Sequence, residues 1–294
     1  MKKMRIALLF AALTILMAAC AKASNDTNAT DNNSQTDMTS QTTDTASVKV
    51  AVKTTAGDFT VLLYGDTPKH RDNFVKLVNE GYYEGTLFHR VIKEFMIQAG
   101  DPDSRTAKPG QQLGAGGPDY KIDAEIVFPK YFHKRGALAA ARQGDQVNPM
   151  KQSSGSQFYV VTGRKSSLAE VEQLGKRMQG SRMQAIFNRL AMEHRDEIIE
   201  MQRRGDRDGL QELQNDLIAQ TEAEIASTPA PTITDEMKQA YTTVGGAPHL
   251  DGEYTVFGEV IEGMEVIDAI EKAETDRSDR PKEDIRIVSM KIID

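Results

Sequence analysis

The chain carries Phe88-His89-Arg90-Val91-Ile92-Lys93-Glu94-Phe95-Met96-Ile97-Gln98-Ala99-Gly100-Asp101-Pro102, the most strongly patterned run in its sequence. From Leu87 the side chains alternate between two faces, and Ala-Gly-Asp-Pro stops the run, the pattern of a strand ending in a turn. Arg90, Phe95, Met96 and Gln98 are not all in strand phase, so they share one surface only if the chain kinks near Lys93-Glu94. Such a kink sets a guanidinium and an amide beside a phenyl ring and a thioether. Fixed hydrogen-bond donors over an apolar floor suit a neutral, partly apolar ligand that has to be oriented.

The same run resembles the signature of the cyclophilin-type peptidyl-prolyl isomerases, F-H-R-x-I-x-x-F-M-x-Q-x-G-D, with every fixed letter met. Downstream, residues 136–141 resemble the family's G-x-L-x-M-A, with Ala140 in place of Met. Gly155-Ser156-Gln157-Phe158-Tyr159 resembles G-S-Q-F-F, with Tyr159 for the second Phe. His249-Leu250-Asp251-Gly252, leading to Val256-Phe257-Gly258, resembles W-L-D-G to V-F-G. There His249 stands for Trp, and Tyr254 stands where many members carry His. The resemblance covers about residues 48–163 and 248–294. It implies a mainly β fold: an eight-stranded antiparallel β-barrel capped by two helices, here carrying an inserted α-helical hairpin.

Local patterning agrees with that architecture. Val48, Val50 and Val52 alternate with Lys49 and Lys53, and a turn at Ala56-Gly57-Asp58 returns the chain along 59–64 as a hairpin. Thr67-Pro68 reads as a helix start, with Thr67 capping and Pro68 in the first turn. Phe74, Leu77 and Val78 form an apolar stripe ended by Gly81. A second capping helix is expected over 264–272 and a closing strand over 285–293. The glycine-rich 110–119 reads as tight loops, because no apolar-striped helix follows to make a phosphate cradle.

Outward from the barrel, the chain has a distinctive start. Lys2, Lys3 and Arg5 precede an apolar run over 6–19, too short to span a bilayer, where about 20 residues are needed. Residues 1–19 read as a signal peptide. Met17-Ala18-Ala19-Cys20 resembles a bacterial lipobox with Met where Leu is usual, which implies lipidation at Cys20, the single cysteine of the chain. Residues 20–46 are almost wholly small and polar, and they read as a disordered tether that buries too little to offset its ordering entropy. The implied location is the bacterial cell envelope, lipid-anchored on the periplasmic side or at the cell surface.

The domain that follows, 47–294, is interrupted by an insertion over 164–247. Ser167-Leu168-Ala169-Glu170 is a capping box. Leu168, Val171, Leu174, Met178, Ile186, Leu190, Ile198 and Met201 recur at near-helical spacing, and 205–209 breaks the pattern. Leu210, Leu213, Leu217 and Ile225 make a second stripe, so the pair reads as a helical hairpin. Pro229 and Pro231 end it, and Thr234 caps a short helix carrying Met237, Tyr241 and Val244. On this reading, removing 166–246 leaves activity on a small peptide largely intact.

Composition narrows the function. A net charge of −7 and a pI near 5.4 argue against binding nucleic-acid phosphates. No Trp and 6% aromatic content argue against a base-stacking platform. Histidines 70, 89, 133, 194 and 249 lack close metal-ligand spacing, so neither a metal nor another cofactor is expected. His89, out of phase with Arg90, reads as structural, and Glu94 and Asp101 as turn and loop residues.

The reaction that the resemblance implies needs no covalent step. An X-Pro bond rotates over a barrier of about 18–20 kcal/mol, on a scale of tens to hundreds of seconds when unassisted. As it twists, the proline nitrogen gains a lone pair, and a cationic donor aimed there helps only in the transition state. The resemblance assigns Arg90 that role and Gln98 the task of steadying it. Phe95, Met96, Tyr159 and Leu250 match the proline pocket, and Ala141, Gln157, His249 and Tyr254 the rest of the groove. The implied partners are proline-containing unfolded or exported polypeptides, a membrane through the lipid, and a possible protein partner on the insertion. Lacking the family's indole at position 249, the chain is expected to be weakly inhibited by cyclosporin. The competing reading is a module that grips proline segments with little turnover and recruits partners through the insertion.

Overall fold

The computed structural model describes residues 46–227 and 233–294. The signal segment, Cys20, the tether through residue 45, and Pro229 and Pro231 lie outside the described residues. Among the described residues no helix is long and apolar enough to cross a membrane.

Strands β1 (Val48–Thr54) and β2 (Gly57–Leu63) form the expected hairpin, registered Val48 to Leu63 and Thr54 to Gly57. Helix α1 (Pro68–Asn79) follows, with Pro68 in its first turn. Its start is not capped by Thr67, whose hydroxyl donates to the Tyr64 carbonyl at 3.3 Å. The amides of Lys69 and His70 instead donate to the Glu125 carboxylate at 3.0 and 2.9 Å. An ionised carboxylate against two free helix N–H groups outdoes a hydroxyl there.

The decisive stretch is a hairpin rather than one kinked strand. β3 (Arg90–Ile92) and β4 (Met96–Ala99) pair antiparallel with Arg90 opposite Gln98. The expected kink is a full reversal over 93–95, with Glu94 at φ +58° and the Phe95 amide donating to the Ile92 carbonyl at 3.2 Å. β5 (Lys121–Ile122) and β7 (Ser153–Ser154) make a small separate pair. β6 (Ala137–Ala140), β8 (Phe158–Val161), β9 (Val256–Glu262) and β10 (Ile287–Ile293) complete the main sheet. Its order is β10-β1-β2-β9-β6-β8-β4-β3, antiparallel throughout. The two edges meet just before β3. Leu87 bridges Arg286, the Phe88 amide donates to Ile285 O at 3.0 Å, and the Ile287 amide donates to Thr86 O at 2.9 Å. This contact curls the eight strands into the expected barrel.

Helix α1 and the late helix α6 (Met264–Glu271) both feed the barrel core. Phe74 and Leu77 from the first, and Ile267 and Ile270 from the second, pack with Val50, Val61, Ile97, Val160 and Phe257. Each such buried side chain stabilises the fold by about 1.5–3 kcal/mol. Ile97 and Ala99 of β4 and Phe158 and Val160 of β8 face this core. By strand alternation Met96 and Tyr159 face the other way, into a second cluster with Val256, Phe95, Leu250 and Tyr254. That outer face of the barrel wall carries the candidate site.

The insertion is three helices and a fourth on the return: α2 (Leu168–Glu193), α3 (Arg195–Arg204), α4 (Arg207–Ser227) and α5 (Asp235–Thr243). The Ser167–Glu170 capping box forms, the Ser167 amide donating to Glu170 at 2.7 Å and the Glu170 amide to the Ser167 hydroxyl at 3.3 Å. Thr234 caps α5 by accepting from the Met237 amide at 3.2 Å. The expected first helix is broken at His194, and Gly205 ends α3 in the left-handed region at φ +69°. The described residues divide into two compact units, 176–227 and 46–175 with 233–294. Phe187, Leu190, Ile198 and Leu217 form the core of the first. The ends of the insertion belong to the second, where Val171, Met237 and Tyr241 pack with Phe132. The segment 164–247 is therefore not one separable appendage.

Candidate active site

A cleft of about 560 Å³ opens on the outer face of β3, β4 and β8. Its walls include Arg90, Phe95, Met96, Gln98, Ala141, Tyr159, Leu250 and Tyr254, eight of the residues expected from the sequence. Strand register brings them together: Gln98 pairs with Arg90 on one side and with Tyr159 on the other.

Arg90 is held from two directions. Its Nη1 donates to Gln98 Oε1 at 3.4 Å, and its Nε lies 3.8 Å from Asp279 Oδ2. Gln98 Nε2 in turn donates to Gln157 Oε1 at 2.9 Å, and Gln157 Nε2 to the Gly116 carbonyl at 2.7 Å. This relay orients both amides and presents Gln98 as an acceptor to the guanidinium. It also ties the arginine to the glycine-rich loop, which is anchored on buried Asp101. That carboxylate accepts from the amides of Gly114, Gly116 and Asp103. A Cβ on Gly116 would lie 2.2 Å from Asp101 Oδ1, so the loop can sit there only as glycine. The 110–119 segment thus does more than turn the chain: Leu113, Gly114 and Ala115 form one wall of the cleft.

Two expected residues fall elsewhere. Gln157 is buried behind the wall and reaches the cleft through Gln98, through the Gly116 carbonyl, and through its own carbonyl, which accepts from the Ala141 amide at 3.0 Å. His249 is exposed and not in the wall, its ring 5.2 Å from that of Phe95. Other residues went unread in the sequence. Arg142 lines the cleft with its guanidinium 4.3 Å from the Tyr254 ring centroid, a cation–π contact. Asp279 and Arg280 come from the loop before β10, where the Arg280 guanidinium donates to the Lys108 carbonyl at 2.8 Å. Asp279 sits at φ +62° while its own carbonyl accepts from the Val91 amide at 2.7 Å. No local pattern marks either residue, because both act on β3 from far along the chain. Cys20 lies outside the described residues. Among the described residues no group of His, Cys, Asp and Glu could hold a metal ion.

His89 lines the cleft yet is only 4% exposed, and neither ring nitrogen has a hydrogen-bond partner in the protein. Burial pushes its pKa down to about 4, against the opposing pull of Asp101. Above pH 6.5 the ring is neutral in both folded and unfolded chains and adds no pH dependence. Between pH 6.5 and about 4 only the unfolded chain takes up the proton, so stability falls with pH through that window. At about 1.4 kcal/mol per pH unit the loss reaches roughly 3 kcal/mol. Unfolding free energies from pH 7 to 5, above the carboxylate range, are expected to fall more steeply in wild type than in His89→Gln by about one proton, with His249, whose pKa burial also lowers, contributing equally to both. Equal slopes would overturn the assignment.

Comparison with known proteins fits this geometry. A family model described as cyclophilin type peptidyl-prolyl cis-trans isomerase matches residues 48–187 and 194–292. The chain belongs to the cyclophilin-type peptidyl-prolyl cis-trans isomerases, a family of enzymes. It is 31% identical over 248 residues to an inferred peptidyl-prolyl cis-trans isomerase of Staphylococcus haemolyticus, covering 84% of this chain and 92% of that one. It is 32% identical over 250 residues to an inferred bifunctional phosphatase/peptidyl-prolyl cis-trans isomerase of Streptococcus pyogenes, of whose length it spans 39%. A crystal structure of a cyclophilin-type isomerase of Cryptosporidium parvum superposes with a TM-score of 0.49 at 22% identity, over 85% of this chain and 99% of that one.

Proposed function

We propose that this chain catalyses cis-trans rotation of X-Pro bonds in exported polypeptides while held at a membrane by a lipid on Cys20. The observation that carries the isomerase reading is Arg90, clamped by Gln98 and Asp279 at the edge of an apolar pocket made by Phe95, Met96 and Leu250. A proline ring buried in that pocket holds one side of the bond still. The guanidinium, always charged, then donates to the proline nitrogen as rotation localises its lone pair. Because that lone pair is delocalised in the planar ground state, the contact favours the twisted bond over either isomer. Gln98 is the orienting group, and Ala141, Tyr159 and Tyr254 border the path of the residue before proline.

A second reading has its own support. The compact unit 176–227 is separate from the barrel unit and suits recruitment of a protein partner, which would make the barrel a gripping module. Prolyl exchange on an Ala-Pro peptide distinguishes the two, since a gripping module binds the peptide without accelerating exchange. The export reading rests on the basic start, the apolar run and the lipobox resemblance at Cys20. In a bacterial host, Cys20→Ala is expected to move the protein from the membrane to the soluble fraction and abolish fatty-acid labelling. Unchanged membrane association would sink the anchor.

A further inference from the structure

We infer that Tyr241, carried by the returning helix of the insertion, is a positioning residue for the proline pocket, acting through Asp251 and His133 on the ring of Tyr159. This deepens the isomerase reading and rests on it.

The chain of contacts is continuous and buried. The Tyr241 hydroxyl donates to Asp251 Oδ2 at 2.5 Å. The other oxygen, Oδ1, accepts from the backbone amide of His133 at 2.8 Å and meets His133 Nδ1 at 3.0 Å. His133 Nε2 meets the Tyr159 hydroxyl at 3.0 Å. All four residues are classed as buried, and Tyr241 has no exposure at all. Asp251 accepts from the Tyr241 hydroxyl and from the His133 amide, so the His133 ring faces it with a proton on Nδ1. In that tautomer of the neutral imidazole, Nε2 accepts from the Tyr159 hydroxyl, and the links are ordered from the Asp251 end.

What this chain holds is the floor and rim of the cleft. The Tyr159 ring lies 6.1 Å from that of His133 at 13° and meets Tyr254 edge-on at 6.2 Å and 81°. Tyr241 is itself placed by packing edge-on against Phe132 and by Gly246, where a Cβ would lie 2.6 Å from the Tyr241 ring and 2.4 Å from the His133 carbonyl. Gly246 bridges both Lys134 and Arg164, which closes the return of the insertion onto the barrel. A phenylalanine at position 159, the usual residue in the resembled motif, has no hydroxyl to direct and would leave His133 Nε2 without a donor.

The test uses the full chain as wild type, Tyr241→Phe, Tyr159→Phe and the double variant, with kcat, KM and melting temperature measured on an Ala-Pro peptide. Tyr241→Phe is expected to lower kcat/KM about fivefold, and adding it to Tyr159→Phe to cause no further loss, because the link to the ring is already cut. A Tyr241→Phe protein that melts earlier but keeps kcat/KM within twofold of wild type would reduce Tyr241 to a structural residue. Losses that multiply in the double variant would overturn the route through Tyr159. Should Tyr241→Phe not fold, His133→Gln cuts the same route at its centre, and kcat/KM within twofold of wild type would refute the proposal there. If wild type does not accelerate exchange at all, the isomerase reading fails. The positioning role is then read from Ala-Pro peptide affinity in the same proteins, by the same loss and the same absence of further loss in the double variant.

Discussion

Alanine at position 90 is expected to lower kcat/KM for an Ala-Pro peptide by roughly two to three orders of magnitude, the usual cost of removing one transition-state donor. The fold should be nearly indifferent. The Arg90 side chain is 42% exposed and its ion pair with Asp279, at 3.8 Å, is a surface pair contributing about 0–1 kcal/mol. A large kinetic effect with an unchanged melting temperature separates catalysis from scaffolding. Arg90→Lys should fall between wild type and alanine. It keeps the charge but loses the planar fork that lets Gln98 and Asp279 engage separate nitrogens. The assay is prolyl exchange followed at several peptide concentrations. A folded Arg90→Ala protein within threefold of wild type would remove the electrostatic mechanism and leave the apolar pocket to act by binding alone.

Two deletions should behave in opposite ways. Joining Gly175 to Pro231 removes the compact unit 176–227 and the three residues after it, and the barrel unit should keep its fold and its activity on a small peptide within about twofold. The join is short, because the chain at Gly175 already touches Ile233: a Cβ there would lie 3.2 Å from its Cγ1. The wider deletion of 166–246, which the sequence alone presents as harmless, should leave no cooperatively folded protein. It strips out Val171, Met237 and Tyr241, each with no solvent exposure. Losing a large core side chain costs about 2–5 kcal/mol, and leaving buried Asp251 Oδ2 without the Tyr241 hydroxyl costs about 1–3 kcal/mol more. Summed over the three side chains, these losses are comparable to the whole of the roughly 5–15 kcal/mol that holds an ordinary domain together. Thermal melts of both proteins decide the matter, and a wider deletion that still melts cooperatively and turns over peptide would show that the returning helix is dispensable.

Much of this was legible from local rules. Alternating valines specify β1, an apolar stripe specifies α1, and the Ser167–Glu170 and Thr234 caps start α2 and α5 where a few neighbouring residues say they should. The motif resemblance extended that reading to the barrel and to eight of the cleft's residues, since a long fixed pattern carries the register of β3 on β4 within itself. Errors arose where a distant group outcompeted a near one. Glu125, not Thr67, holds the start of α1. The reversal at Glu94 replaced a kink because β3 and β4 satisfy each other's backbone groups as a hairpin.

What the amino-acid order determined by itself is therefore the set of elements and the chemistry available to the site: a permanent cation, an amide and an apolar floor, each encoded within a dozen residues. Only the tertiary structure decided what steadies them. The Asp279 clamp on Arg90, the Asp101 anchor under the glycine-rich loop, and the chain from Tyr241 to Tyr159 join residues from about a dozen to nearly two hundred positions apart. The physical reason is range. Periodicity and caps act within a turn or two of the chain, whereas a buried carboxylate takes whichever donors the closed barrel brings within 3 Å of it, at any separation in sequence.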